Sequence, residues 1–209
     1  MNDLPRLVLI ADRFTESARA ECALQAIEAG VRWVHLRDHD ASDAAFHEAA
    51  VHLNERIARI DVRVRVSVNQ RLDIAQRLRL DYHGGTHGPG VGVARERLGS
   101  HAVIGFSAHE QEEVGGPKVA RVDYFFFSPI FPTESKPGHP GTGIETLSRI
   151  CAATELPVFA LGGITRARVD SCLEAGAHGV AVLSGIMDAN DPAGAAKAYL
   201  RAVASSDDR

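Results

Sequence analysis

Eight short apolar runs, alternating with segments of helical periodicity, constrain the fold of this chain more than any other feature. Each run is short and bounded, which is typical of a buried strand. Strands that alternate with helices lie parallel, because a parallel pair needs a long crossover connection. Eight such units predict a (β/α)8 TIM barrel, an α/β fold for which 209 residues is near the lower limit of about 200. The runs span residues 6–11, 33–36, 62–68, 81–83, 102–107, 124–127, 158–161 and 179–183.

An open, doubly wound sheet is the alternative, but it normally has fewer strands or a larger chain. No linker divides the sequence, so we expect one domain over residues 1–209, with its core at about 7–199 and a frayed C-terminal tail. Residues 69–80 and the segment from 110 onward are predicted as helices. Local signals predict helix ends, with N-caps at Thr15, Ser42 and Asp191 and a helix stop at Gly30.

Composition excludes several classes of function. The net charge is −4 and no basic run occurs, which argues against nucleic-acid binding. No apolar stretch reaches the roughly 20 residues of a membrane span, and the N-terminus lacks a signal-peptide pattern, so we expect a cytoplasmic protein. The three cysteines are widely spaced, as in a reduced protein. A homodimer remains an option.

Glycine breaks follow the last two predicted strands. The seventh strand ends at Gly162-Gly163 and the eighth at Ser184-Gly185. Without side chains in the way, the backbone N–H groups there are accessible to an anion. Since such breaks fall at equivalent ends of successive parallel strands, they predict a phosphate site. The alternative is that these glycines only form tight turns.

The second strand carries polar residues at its end. Alternation places His35, Arg37 and His39 on one side, toward the mouth of the barrel. Arg37 supplies a permanent, forked cation suited to phosphate or carboxylate. The alternative is a structural ion pair between Arg37 and Asp12 or Asp38.

Other strand ends add further candidates. Asn69 follows the third strand, His83 the fourth, and Ser107 and His109 share a face after the fifth, although His109 could instead cap the next helix. The long Gly/Pro-rich loop after the sixth strand carries two hydroxyls and an ammonium, which favours a mobile phosphate lid; a solvated lysine is the alternative. These loop residues are Thr133, Ser135 and Lys136. The histidine spacing indicates no metal site.

Six segments, in this order, resemble the thiamine phosphate synthase and thiazole tautomerase family: WVHLRD, VNQRLDIA, IGFSAHEQEEV, YFFFSPIFPTESK, ALGGIT and AGAHGVAVLSGI. The resemblance covers about residues 7–199. It implies a β/α barrel that binds a thiazole phosphate near the last two strands. The phosphate would lie at Gly162, Gly163, Ser184 and Gly185, a pyrophosphate at Thr133, Ser135 and Lys136, and a pyrimidine beside Arg37, Asn69, Ser107 and His109.

The chain departs from the synthase pattern at the family's magnesium positions. The synthase branch has an aspartate where Gln70 stands, and no carboxylate occurs here between Asp81 and Glu96. His35 and His39 replace a glutamine and a lysine of that branch. These departures favour the other branch, a metal-independent thiazole tautomerase that moves a proton within a thiazole carboxylate phosphate.

The tautomerase interpretation needs a proton carrier with a pKa near neutrality. Its characteristic histidine aligns with Pro129, so the candidates here are His109, His35 and His83. Two alternatives stay open. One is the synthase, which joins thiazole phosphate to a pyrimidine pyrophosphate and would need Mg²⁺; no other cofactor is expected. The other is a non-catalytic binder or regulator of a heterocyclic phosphate.

Overall fold

The computed structural model describes residues 4–116 and 121–205 of the chain. Eight parallel strands follow one another around a closed barrel, and the last pairs with the first. This arrangement confirms the predicted (β/α)8 barrel. The strands are β1 (Leu7–Asp12), β2 (Trp33–Arg37), β3 (Arg65–Asn69), β4 (Asp81–Gly84), β5 (Ile104–Ala108), β6 (Tyr124–Phe127), β7 (Val158–Leu161) and β8 (Gly179–Val182).

Helices cover the outside of the barrel. They are α1 (Ser17–Glu28), α2 (Asp43–Ile60), α3 (Leu72–Leu78), α4 (Val91–Leu98), α5 (Ile144–Ala152), α6 (Val169–Glu174), α7 (Ser184–Met187) and α8 (Pro192–Ala204), with short 3-10 turns at Gln111–Glu113 and Arg166–Arg168. Within the described ranges, none of these helices is both long enough and apolar enough to cross a bilayer.

The predicted helix ends are confirmed at three positions. The Ser42 hydroxyl accepts from the N–H of Ala45, and the Asp191 carboxylate accepts from that of Gly194. Gly30 follows α1 with φ of 119°, a conformation that favours glycine. The Thr15 cap is wrong, because the N-cap is Glu16 and the Thr15 hydroxyl donates instead to the buried Asp38 carboxylate at 2.5 Å.

Several predicted boundaries are also wrong. β3 begins at Arg65 rather than 62, because Arg63 folds back onto Asp61 and leaves Val62 83% exposed. α3 begins only at Leu72, since Gln70 takes a left-handed conformation with φ of 56°. After β5 the chain forms a 3-10 turn instead of the predicted helix; residues 117–120 of that segment and 206–209 of the predicted frayed tail lie outside the described residues.

The core has two layers, one between the strands and helices and one inside the barrel. β6 contributes to both, because a parallel strand is buried on both faces. Tyr124 and Phe126 point into the barrel, while Phe125 and Phe127 pack beneath the helices. Inside, Trp33 meets the Tyr124 ring edge-on, with 4.8 Å between centroids. These aromatic side chains fill the lower barrel and leave the site to the rim above them.

Candidate functional site

A pocket lies at the carboxyl ends of β7 and β8. Its cavity volume is about 90 Å³, which is smaller than a site that encloses a whole drug-sized ligand. The pocket brings together most of the residues predicted to hold phosphate. It is lined by Ser128, Pro129, Thr133, Ser135, Lys136, Leu161, Gly162, Gly163, Ile164, Ala181, Val182, Leu183 and Ser184.

The glycines at the end of β7 are required by close backbone packing. Gly162 and Gly163 have φ of 93° and 64°. A Cβ on Gly162 would lie 2.7 Å from Cβ of Pro129, and one on Gly163 would lie 2.5 Å from the Pro132 carbonyl oxygen. The bend therefore lets the loop after β6 close over the strand end, while both glycines line the pocket. The bend at Gly162 and Gly163 is therefore a tight turn, and it also forms part of the pocket that was predicted to bind an anion.

Gly185 is required by a different packing contact. A Cβ there would lie 2.2 Å from the Tyr199 hydroxyl, which donates to the Ile164 carbonyl at 3.0 Å. Gly185 therefore allows α7 to pack against α8, and it does not line the pocket. Ser184 does line it, in the first turn of α7, where backbone N–H groups have no partner within the helix.

The loop after β6 is anchored at its base and reaches over the pocket at its tip. The N–H groups of Ile130 and Phe131 donate to the carbonyls of Leu161 and Gly162, at 2.9 and 3.1 Å. Beyond this base, Thr133, Ser135 and Lys136 line the pocket. Partial burial lowers the pKa of Lys136.

His109 lies beside this lysine. Its Nδ1 is 2.6 Å from the Ser128 carbonyl oxygen and 3.3 Å from Nζ of Lys136. Because a carbonyl only accepts, Nδ1 carries a proton and donates to Ser128. The alternative that His109 caps the next helix is wrong, since Glu110 is the N-cap of the 3-10 turn.

Arg37 lies at the rim in an ion pair with Asp12. This confirms the predicted alternative of a structural ion pair. Both side chains are partly exposed, and the guanidinium keeps donors for a ligand. His39 lies exposed beyond it, where desolvation and the Arg37 charge lower its pKa. The ion pair positions Arg37 without removing it from the mouth.

His35 and His83 lie inside the barrel, not at its mouth as the alternation suggested for His35. They are 2% and 1% exposed, and their ring centroids are 5.1 Å apart. Burial lowers the pKa of His35 to about 3, and burial also lowers the pKa of His83 far below its ordinary value. Neither ring is a proton carrier tuned to neutral pH. Of the three histidines, only His109 contacts residues that line the pocket, Ser128 and Lys136.

Sequence reasoning missed the partners of these histidines. The Ser67 hydroxyl contacts Nδ1 of His35 at 3.0 Å, and Tyr124 contacts Nδ1 of His83 at 2.9 Å. Ser107, a predicted site residue, contacts Nε2 of His83 at 2.8 Å. The sequence could have indicated Ser67, because it lies two residues before the predicted site residue Asn69 on the same face of β3.

The magnesium site implied by the family resemblance does not fit the residues present. Mg²⁺ prefers carboxylate oxygens, but the ends of β3 and β4 carry Asn69, Gln70 and His83. The Gln70 amide nitrogen lies next to Gly85, only 2.8 Å from where a Cβ would stand there. Within residues 4–116 and 121–205, no three His, Cys, Asp or Glu side chains are placed to share a metal ion.

Comparisons with known proteins agree with the barrel fold. The family model described as thiamine monophosphate synthase matches residues 7–186. The chain is 36% identical over 200 residues to a thiamine-phosphate synthase of Haloarcula marismortui, covering 93% of this chain and 92% of the relative. It is 34% identical over 195 residues to that of Syntrophomonas wolfei, covering 91% and 92%. A solved thiamine phosphate pyrophosphorylase from Pyrococcus furiosus superposes with a TM-score of 0.84 at 26% identity, covering 96% of each chain.

Proposed function

The chain belongs to the thiamine monophosphate synthase family, and we propose that it joins a thiazole phosphate to a pyrimidine pyrophosphate, releasing pyrophosphate and forming thiamine phosphate. The observation that carries this proposal is the single pocket shared by Gly162, Gly163, Ser184 and the Thr133–Lys136 loop. Two anionic groups meet in this reaction, and the pocket offers backbone donors on one side and a cation on the other.

The thiazole phosphate binds at the β7–β8 side of the pocket. Gly163 and Ser184 line the pocket there, and bare backbone allows an oxyanion to approach closely. Thr133 and Ser135 line the same space. This grip fixes the thiazole ring, so that binding energy from the remote phosphate orients the reacting nitrogen.

Lys136 stabilises the leaving pyrophosphate. As the bond to the pyrimidine breaks, negative charge grows on the departing oxygen, and a cation already placed nearby lowers the barrier. Arg37, held by Asp12, supplies a second cation across the mouth. The described residues do not fit a protein-bound Mg²⁺, so no step is assigned to one, and these cations carry the role of charge neutralisation.

A second candidate is proton transfer within a thiazole carboxylate phosphate. The missing carboxylates favour it, because this isomerisation needs no pyrophosphate neutralisation. His109 is the group that would move the proton, since the Ser128 carbonyl holds its ring at Nδ1 beside Lys136. Lys136 beside it would hold the substrate carboxylate.

One experiment separates these functions. The protein is incubated with thiazole phosphate and pyrimidine pyrophosphate, with and without Mg²⁺, and in parallel with the thiazole carboxylate phosphate. Thiamine phosphate formation at an enzymatic rate supports the proposal. Conversion of the carboxylate to its aromatic isomer, without thiamine phosphate formation, would replace the proposal with the second candidate. Calorimetric binding of thiazole phosphate without either turnover would indicate a binding protein.

A further inference from the structure

The four consecutive carbonyl groups at the end of β7 all accept hydrogen bonds. The first two, at residues 161 and 162, accept from the backbone of the loop after β6. The Gly163 carbonyl accepts from the Arg168 guanidinium at 2.7 Å, and the Ile164 carbonyl accepts from the Tyr199 hydroxyl at 3.0 Å. Arg168 and Tyr199 do not line the pocket, so these two carbonyls are held by side chains outside it.

Two N–H groups of the same bend, those of Gly163 and Ile164, have no hydrogen-bond acceptor within residues 4–116 and 121–205. The peptide that joins these two residues is planar and trans, so its carbonyl and its N–H point in opposite directions. Since Arg168 holds the Gly163 carbonyl, the Ile164 N–H points away from Arg168. Ile164 lines the pocket and is only 7% exposed, and a buried N–H normally has a partner. This N–H therefore needs an acceptor that the described residues do not supply.

Arg168 is itself held in a defined orientation. Its guanidinium lies over the Phe131 ring, 4.4 Å from the ring centroid, and a planar cation stacks well on an aromatic face. Its backbone N–H donates to the Thr165 carbonyl at 2.9 Å, and its carbonyl accepts from the Ser171 hydroxyl at 2.9 Å. The partly buried side chain thus bridges the loop after β6 and the end of β7.

The glycine before this peptide makes such a contact necessary. Gly163 has φ of 64°, and a residue without Cβ has access to many backbone conformations. The peptide that follows Gly163 would therefore rotate at little cost if its carbonyl had no partner. The hydrogen bond from Arg168 removes this freedom and fixes the direction of the Ile164 N–H.

We propose that Arg168 is a positioning residue for phosphate binding: by holding the Gly163 carbonyl outside the pocket, it turns the Ile164 N–H toward the phosphate. Arg168 itself does not touch the ligand. Tyr199 holds the next carbonyl, but it also packs against Gly185, so its removal would disturb two helices. The identity of the ligand as a thiazole phosphate rests on the proposed function; the link between Arg168 and anion affinity does not.

The test compares thiazole phosphate with the matching thiazole alcohol, which lacks the phosphate, at saturating pyrimidine pyrophosphate. Arg168→Met keeps an unbranched side chain against Phe131 and removes the donor. For thiazole phosphate, we expect KM to rise about 10-fold with kcat unchanged, because the lost hydrogen bond serves ground state and transition state alike. For the alcohol, the variant should match the wild-type chain. Arg168→Lys keeps a charged donor, so its KM should lie between those of Arg168→Met and the wild-type chain.

Arg166→Met is the matched control, because Arg166 lies exposed in the same 3-10 turn and its removal takes away the same charge. It should change the KM for thiazole phosphate less than twofold. The proposal is overturned if Arg168→Met leaves this KM unchanged or if Arg166→Met raises it equally. It is also overturned if Arg168→Met weakens phosphate and alcohol by the same factor, which would indicate a general loosening of the pocket.

Calorimetric titration with inorganic phosphate separates this inference from the proposed function, because it needs no turnover. An affinity about 10-fold weaker in Arg168→Met than in the wild-type chain supports the role of Arg168 even if the chain forms no thiamine phosphate. Equal affinities, or no binding to the wild-type chain, would overturn that role, while the turnover assay would still decide the proposed function.

Discussion

His35 and His83 are held neutral inside the barrel, and this gives the fold a dependence on acid. Their pKa values are lowered in the folded state from 6.5, to about 3 for His35. The unfolded chain therefore binds protons that the folded chain does not, so stability is full above about pH 6.5 and is lost as the pH falls below it. Between about pH 7.5 and 5.5 we expect a loss of about 1.4 kcal/mol per histidine in the free energy of unfolding.

Urea denaturation across this pH range measures the effect. His35→Asn should remove one of the two contributions and flatten the pH dependence. His52→Asn, on the exposed face of α2, should leave it unchanged. Equal slopes for the wild-type chain and His35→Asn would contradict the assignment of a neutral, buried ring.

Lys136 lines the pocket that we propose to bind phosphate, and its removal should weaken anion binding. A hydrogen bond to a charged group contributes about 1.5–3 kcal/mol, so Lys136→Met should weaken the affinity for inorganic pyrophosphate by about 10- to 100-fold. Isothermal calorimetry at fixed ionic strength measures this. Lys197→Met, at an exposed position of α8, is the matched control and should change the affinity less than twofold.

At the scale of elements, the bend after β7 depends on glycine. Gly162→Ala forces a side chain into a conformation with φ of 93° and into contact with Pro129. We expect a loss of at least about 1–3 kcal/mol in the free energy of unfolding. Gly92→Ala is the opposite case, because Gly92 lies in α4 and no atom of the described residues is within 4 Å of where its Cβ would stand. That variant should be stabilised by about 0.5–1 kcal/mol.

Chemical denaturation of both variants tests this contrast. A neutral effect of Gly162→Ala would show that the loop after β6 can move away from the strand end. In that case the pocket would not depend on the bend, and its shape would have another origin.

The strands could be predicted from sequence because buried parallel strands are continuous apolar runs, as in the Tyr124–Phe127 segment. Their ends were harder to place, since Val62 is as apolar as Val64 and only the turn at Asp61 excludes it from β3.

The segment after β5 looked helical by composition, but the Glu113 carboxylate binds the N–H groups of His109 and Glu110 and holds a tight 3-10 turn. Local side-chain bonds of this kind overrule periodicity.

The pocket at the ends of β7 and β8 was predictable for a related reason. Parallel strands bring their carboxyl ends to one rim, so glycine breaks after β7 and β8 had to be neighbours. The depth of His35 and His83 was not predictable, because alternation gives the side of a strand and not the height along the barrel axis. The links through Ser67 and Tyr124 depend on strand register, which the sequence does not state.

At the scale of the whole molecule, the described residues cover the barrel unevenly. α1, α2 and α8 have 12, 18 and 13 residues and lie around β1 and β2, whereas α3 and α4 have 7 and 8 and a 3-10 turn of 3 follows β5. A cavity lies open on the thin side, bordered by Phe106 and by Val93, which is 50% exposed. Fewer buried contacts mean a lower free energy of local opening.

We therefore expect the β4–β5 side to open first. In native-state hydrogen exchange, amides of α4 and β5 should exchange faster than those of α1 and β1. Mass spectrometry of exchanged peptides measures this. Uniform protection around the barrel would mean that ring closure between β1 and β8 makes the whole barrel open as one unit.

The chain contains one tryptophan, and it stands at the centre of the barrel with its indole N–H on Ser67. An indole shielded from solvent emits at shorter wavelength than a hydrated one, so the fluorescence of this protein is a direct optical signal from the barrel interior. Any event that breaks the hydrogen bond to Ser67 or admits water to Trp33 changes the wavelength and intensity of that emission. Trp33 is therefore an intrinsic fluorescent probe of the barrel interior, where an attached dye could not be accommodated.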